Sequence, residues 1–272
     1  MVPTCASERE SRKTGLVTLS KDEFHATASL GPTLSTALDF FTTAFVWFDA
    51  ISCITTGSRP SCPEWLSCLL LEEDGRLQLC KLMGCKNWAI VIVLKIAALE
   101  AWKTECQCNG ILNVRELASR AANIEKQLEH ELAANTKALS KDWKTRVVTN
   151  IFGCSTLTYL HVVRFGACPE LPKIRDSVRR TLEAFRALPT SHWTRTLVLP
   201  FFITGYMTMP QDERKFKDIA SPVSSQGLAN FAIATRVVQE SWAVRRESKE
   251  SAFRGVDWKT AMKRLGTDVL MV

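Results

Sequence analysis

Four histidines (His25, His130, His161, His192) and ten cysteines are the side chains best suited to acid–base, nucleophilic or metal chemistry. His161 follows Tyr159-Leu160 inside an apolar segment, where an imidazole could act as a buried base. Nothing in the sequence pairs with it, so it reads as a hydrogen-bonded structural histidine. His130 sits between Glu129 and Glu131 on what should be a solvated helix face. No H-E-x-x-H zinc pair, G-x-S-x-G elbow, G-x-x-x-x-G-K-[ST] phosphate loop or G-x-G-x-x-G turn occurs.

The cysteines are Cys5, Cys53, Cys62, Cys68, Cys80, Cys85, Cys106, Cys108, Cys154 and Cys168. None forms the C-x-x-C that opens a structural zinc site, and Cys106-Gln107-Cys108 has no second ligand cluster near it. Several lie in apolar runs, where a free thiol behaves as a small hydrophobe. Residues 1–30 lack the continuous apolar core of a secretory signal, and no Asn-x-Ser/Thr acceptor occurs. The thiols are therefore expected to be reduced, in nucleus or cytoplasm, and the chain not to be secreted.

Magnesium–diphosphate chemistry, as in a helical isoprenoid cyclase, needs two facing carboxylate motifs because Mg²⁺ takes oxygen ligands. Here Glu72-Glu73-Asp74 is the one tight acidic cluster, beside Gly75, and a facing set is missing. Nucleic-acid contact would draw on Arg175/Arg179/Arg180 or Arg245/Arg246/Lys249. Each group shares its helix with acids (Asp176, Glu183, Glu240, Glu247), the pattern of a solvated face. No catalytic, cofactor-binding or metal-binding residue is assigned, and no cofactor is implied.

The elements that position these side chains are helical. The chain has 272 residues, 46% hydrophobic and 23% charged, with a formal net charge of +7. That excess permits an anionic partner but is ordinary for a charged surface. Trp88–Trp102 (WAIVIVLKIAALEAW) is apolar almost all round, with Lys95 and Glu100 its only charges. Such a helix belongs at the centre of a helical body, and it falls short of the roughly 20 apolar residues that span a bilayer.

Leu34, Leu38, Phe41, Phe45 and Phe48 share one helical face over 33–56, stopped by Gly57 and Pro60. Residues 58–83 read as loops around a short helix at 65–71. Asn113 caps a helix whose stripe is Leu117, Ala121, Ile124, Leu128 and Leu132; it is too short for a coiled-coil seam and is expected to pack internally. Further helices are expected at 143–166, along Ile174–Leu188, at 193–209 with Pro200 kinking or restarting it, at 227–246 and at 257–272. Residues 210–226 read as a polar connection. The expected architecture is all-α, with 1–30 a mobile polar tail and 31–272 a single helical domain of about eight helices.

Several stretches in order resemble one family. They include Trp47-Phe48-Asp49-Ala50, Thr56-Gly57-Ser58-Arg59-Pro60, Met83-Gly84-Cys85-Lys86-Asn87-Trp88 and Ile96-Ala97-Ala98-Leu99-Glu100-Ala101-Trp102. Further along come Ile124-Glu125-Lys126-Gln127-Leu128, Tyr159-Leu160-His161-Val162-Val163 and Gly166-Ala167-Cys168-Pro169-Glu170-Leu171-Pro172. Ile174–Val178, Glu240-Ser241-Trp242 and Asp257–Met262 complete the set. Together they resemble the regulatory, fungal-specific transcription factor domain of fungal zinc binuclear cluster transcription factors, of the acriflavine-sensitivity and sexual-development regulator type.

The resemblance implies a nuclear transcription regulator of a metabolic or secondary-metabolite gene cluster, with no catalytic residues. It implies action through a protein partner, a related transcription factor in a homo- or heterodimer, with no membrane association and no specified small-molecule effector. Family members carry a six-cysteine zinc module whose spacing none of these cysteines reproduces. Direct DNA binding by this chain is therefore not expected. The chain is also expected to begin partway into the domain, without its first helices. The alternative, a helical enzyme or ligand-binding protein of a biosynthetic pathway, requires His161, Tyr159 and Tyr206 to share one cavity.

Overall fold

Asn87–Cys108 form one unbroken helix whose residues Trp88–Leu94, Ile96, Ala97 and Leu99 are all buried. The β-branched Ile90-Val91-Ile92-Val93 run is thus helical, its side chains stabilised by packing rather than by propensity. The computed structural model describes residues 20–29, 31–72, 75–137, 142–189, 195–224, 229–247 and 258–266. Among them are twelve α-helices and no strand: α1 (Lys21–Ala26), α2 (Pro32–Thr56), α3 (Glu64–Leu70), α4 (Leu79–Met83), α5 (Asn87–Cys108), α6 (Val114–Lys137), α7 (Trp143–Phe165), α8 (Pro172–Arg186), α9 (Val198–Tyr206), α10 (Glu213–Ser224), α11 (Ala229–Glu247) and α12 (Trp258–Arg264).

The centre is shared by two helices. α5 packs on α2, α3, α6 and α7, while α7 also meets α8 and α9. α11 gathers α9, α10 and α12 at the far end of the chain. One continuous apolar core runs through both groups, from Phe24 of α1 to Met262 of α12. The α6 stripe packs internally as its spacing suggests, with Leu117, Ala121, Leu128 and Leu132 buried between α5 and α7. Ile174, Val178, Leu182, Phe185 and Leu188 likewise bury the inner face of α8.

The all-α class stands, but twelve helices replace the expected eight or so, and α1, α4 and α10 are the additions. α1 lies in the stretch read as tail, where Ser20 and Glu23 form a reciprocal capping box and Phe24 is 1% exposed. Residues 1–19 lie outside the described residues. α10 occupies the supposed polar connection because Phe216, Ile219 and Ala220 give it a buried i, i+3, i+4 stripe. At Pro200 the helix is restarted rather than kinked: a 3-10 turn at Arg195–Leu197 leads into α9, with the proline in its first turn. The expected element at 257–272 is described only through Gly266, and Val269 lies beyond that.

The apolar face read on α2 is only partly buried, with Leu38 and Phe45 packed against the core. Leu34, Phe41 and Phe48 are 58%, 68% and 49% exposed, and the buried side is Val46, Trp47, Ala50, Ile51, Cys53 and Ile54. Trp47 sets its ring edge-on to Phe152 of α7 at 5.4 Å between centroids. By length and composition α2 could also cross a bilayer, with a mean hydropathy of 1.4 over an 18-residue window. It nevertheless carries two carboxylates with protein partners: Asp39 pairs with Arg76, and Asp49 accepts the backbone N–H groups of Ser61 and Cys62.

Candidate functional site

The three polar side chains that a catalytic pocket would need point to three different places. Tyr159 and His161, two residues apart on α7, project from nearly opposite sides of a helix that turns 100° per residue. The Tyr159 hydroxyl donates to Glu100 of α5 at 2.5 Å. Burial, then the adjacent Glu100 carboxylate, holds the phenol well above its ordinary range, so it stays a donor. His161 faces α6, with Nε2 3.4 Å from Glu125 Oε1, and burial lowers its pKa. Tyr206 lies on α9, edge-on to Trp258 at 5.3 Å between ring centroids. The shared cavity required by the enzyme alternative is not formed.

Glu125 is the polar node that sequence reasoning missed. Its carboxylate accepts from Lys173 at 2.6 Å and from Arg164 at 3.2 Å, besides its contact with His161. One carboxylate thereby joins α6, α7 and the first turn of α8. Burial alone would raise its pKa, but the bonds from Lys173 and His161 outweigh that and bring it below the ordinary value. The partners are 36 to 48 residues away in sequence, and no local pattern marks them. Nearby, Lys103 of α5 donates to the Val163 carbonyl of α7 at 2.6 Å, again at a helix–helix seam.

The remaining candidates disperse. His25 and His130 are exposed on α1 and α6, and His192 lies outside the described residues. Glu72 is exposed, and Glu73 and Asp74 lie outside the described residues. Among the described residues no group of three or more His, Cys, Asp or Glu side chains could hold a metal ion. Burial pushes the Cys53 and Cys62 thiols up to about 12 and Cys154 to about 11, and raises Cys85 as well. These are packed thiols with little thiolate character, the reverse of a zinc ligand.

The arginine groups are mostly structural. Arg179 pairs with Asp176 and Glu183, and Arg180 reaches both oxygens of Glu129 on α6 at 2.6 and 3.1 Å. Arg245 donates to the backbone carbonyls of Tyr206 and Thr208, and Arg246 pairs with Glu213 at 2.9 Å. Arg245 is thus held by carbonyls rather than by an ion pair, and Arg175 has no ion-pair partner among the described residues; Lys249 lies outside them. Among the described residues these candidate arginines therefore do not combine into one free basic cluster.

Comparison with known proteins gives this arrangement a family. The model of the fungal specific transcription factor domain matches residues 12–272. The chain belongs to that family.

It is 32% identical over 260 residues to the trichothecene biosynthesis transcription regulator of Trichoderma arundinaceum, covering 93% of this chain and 60% of the relative. Its counterpart from Fusarium sporotrichioides is 30% identical over 237 residues, covering 86% of this chain and 54% of that protein. The ustiloxin B cluster transcription factor of Aspergillus flavus is 26% identical over 269 residues, with 93% and 45% covered. The chain thus spans about half to three-fifths of the length of these relatives. No solved structure matches it. The family is one of transcription factors, not of enzymes.

Within this family member the stretches that carried the resemblance fall on joints of the fold. Asp49 closes the turn after α2, Asn87 and Lys86 lock the start of α5, and Glu125 ties α6 to α7 and α8. Glu240 and Trp258 fix α12, through Arg264 at 3.5 Å and through the Tyr206 and Phe202 rings. These side chains hold neighbouring helices in place.

Proposed function

We propose that this chain is the regulatory portion of a nuclear transcription regulator that controls a secondary-metabolite gene cluster through protein–protein contacts. The partner in this reading is a related regulator, in a homo- or heterodimer. The observation that carries it is the match over residues 12–272, joined to relatives whose names describe regulation of biosynthetic clusters over 86–93% of this chain. The spread of Tyr159, His161 and Tyr206 over separate helix seams supports a non-catalytic role. The finer assignment, to the acriflavine-sensitivity and sexual-development regulator type, rests on the ordered stretches quoted above. The proposed mode also excludes DNA reading by these residues, because the cysteines present do not fit a two-zinc cluster and most candidate arginines are paired within the fold.

Two measurements test the mode of action. Fused to an unrelated DNA-binding module upstream of a reporter, the chain is expected to change reporter transcription; an unchanged reporter, with the fusion shown to be expressed, contradicts the reading. Purified chain and promoter DNA, titrated at several salt concentrations, should show at most a steeply salt-dependent, sequence-independent association. Tight, sequence-dependent binding would overturn the exclusion of DNA reading.

A further inference from the structure

A groove of about 640 Å³ runs between α8 and the residues Gln211, Asp212 and Lys215. Arg175, Arg179 and Arg186 stand along its α8 wall, one turn and then two turns apart, and Lys215 faces them from α10. Three carboxylates line it as well: Asp176, Glu183 and Asp212. Every one of these acids is already engaged. Arg179 takes Asp176 at 2.5 Å and Glu183 at 3.3 Å, and Lys215 takes Asp212 at 2.6 Å. Arg175 and Arg186 are exposed and have no ion-pair partner among the described residues. The groove therefore holds two unspent guanidinium groups, one toward each end.

Their spacing is informative. Eleven residues of helix separate them, about 16 Å along the axis. An extended peptide advances about 3.3 Å per residue, so two carboxylates about four to six residues apart reach both ends. The guanidinium fork matches a carboxylate in a bidentate geometry. Leu182, 4% exposed, lies between them at the buried edge of the same wall.

We propose that this groove docks an extended acidic segment of a protein partner, one carboxylate on Arg175 and the other on Arg186. A nucleic-acid duplex fits less well, since it carries a negative charge about every 1.7 Å and would face Asp176, Glu183 and Asp212 all along the groove. A peptide with two separated charges avoids those acids. This rests on the reading of the chain as a protein-contact module, and is independent of which genes it controls.

The test uses the full chain and fluorescence anisotropy of a short dye-labelled peptide with two glutamates about five residues apart in a Gly/Ser background. A glutamine version of the peptide and a dye-labelled duplex serve as comparison probes. The glutamate peptide should bind, and the Arg175→Glu/Arg186→Glu variant should weaken it about tenfold or more. A Lys81→Glu/Arg115→Glu variant changes net charge equally at exposed positions outside the groove and should stay within about twofold of the unmodified chain. If charge reversal alters the circular dichroism spectrum or melting, Arg175→Gln/Arg186→Gln replaces it, with the same expectation.

Absence of peptide binding, equal loss in both paired variants, or preferential binding of the duplex through Arg175 and Arg186 would each overturn the proposal. Peptide docking in the groove together with unchanged cluster expression on deleting the gene would leave the groove standing and remove the transcriptional reading. Altered expression without peptide docking would do the reverse.

Discussion

The side-chain oxygen of Asn87 accepts the backbone N–H of Leu79 at 2.8 Å. The amide nitrogen of the same residue donates to the carbonyls of Leu70 and Leu77 at 2.8 and 2.6 Å. One amide thus fastens the end of α3, the connection that follows it and the entry to α4 onto the first turn of α5. The neighbouring Lys86 N–H adds a bond to Thr149 Oγ1 of α7 at 3.0 Å.

Asn87→Asp is isosteric, yet it replaces the donating nitrogen with an acceptor facing two carbonyl oxygens. It should lower unfolding stability by about 3 kcal/mol, and Asn87→Ala by about 2 kcal/mol, since buried backbone groups lose their partners in both. Urea unfolding with an unchanged slope would register this as a lower midpoint. A midpoint within error of the unmodified chain for Asn87→Asp would show that the amide does not lock the joint.

Gly205 gives an inverted expectation. Glycine within a helix ordinarily costs about 0.5–1 kcal/mol relative to alanine. A Cβ at Gly205, however, would collide with the Phe216 ring and come within 2.9 Å of Val238 Cγ1. The ring is itself held against Phe201 and Trp242, at 4.5 and 5.7 Å between centroids, and has little room to yield. Gly205→Ala should therefore destabilise by about 1–3 kcal/mol, seen as a lower thermal midpoint. A raised midpoint would contradict the close packing of α9 on α10 and α11.

The Glu125 node sets a direction for pH dependence. Burial holds His161 below the ordinary imidazole value of about 6.5, so its contribution is present above that pH and fades as pH falls. Glu125 is likewise lowered overall, so its contribution is present above the ordinary carboxylate value of about 4.3 and fades as pH falls through the folded value. Both act in the same direction. Stability should be level near neutral pH and decline on acidification, first through the His161 range. His161→Gln should flatten that first decline while leaving the second. An unaltered profile in His161→Gln would place the acid sensitivity elsewhere.

Thiol labelling separates packed from accessible cysteines. Cys68 and Cys108 are exposed, while Cys53, Cys85 and Cys154 are buried and their thiols are pushed toward the protonated form. Brief labelling of the native chain followed by peptide mass mapping should modify Cys68 and Cys108, with Cys85 reacting only after denaturation. Rapid native labelling of Cys85 would show that the start of α5 opens readily.

Sequence pattern revealed α6 and α8 because each presents apolar residues at helical spacing over three turns or more, and α5 because its apolar run is too long for a buried strand. It missed α4 and α10, which have only a turn or so of stripe to show. α1 was legible in principle, since Ser20 and Glu23 stand at capping-box spacing. The orientation of α2 was not, because a helix that is apolar on most sides does not say which side is inward. Neither Tyr159–Glu100 nor His161–Glu125 could be read from local pattern, being pairs 59 and 36 residues apart. Tyr159, His161 and Tyr206 lie on separate helix seams, a dispersal that no local pattern could show.

The central claim is that this chain controls a biosynthetic gene cluster. Its most direct test is transcript profiling of the encoding fungus with the gene deleted and then restored. The account expects coordinated change across one contiguous set of biosynthetic genes, reversed by the unmodified chain and not by Ile92→Asp, which buries an unpaired charge in α5. Unchanged transcripts across every such cluster, under conditions where those clusters are active, would contradict it.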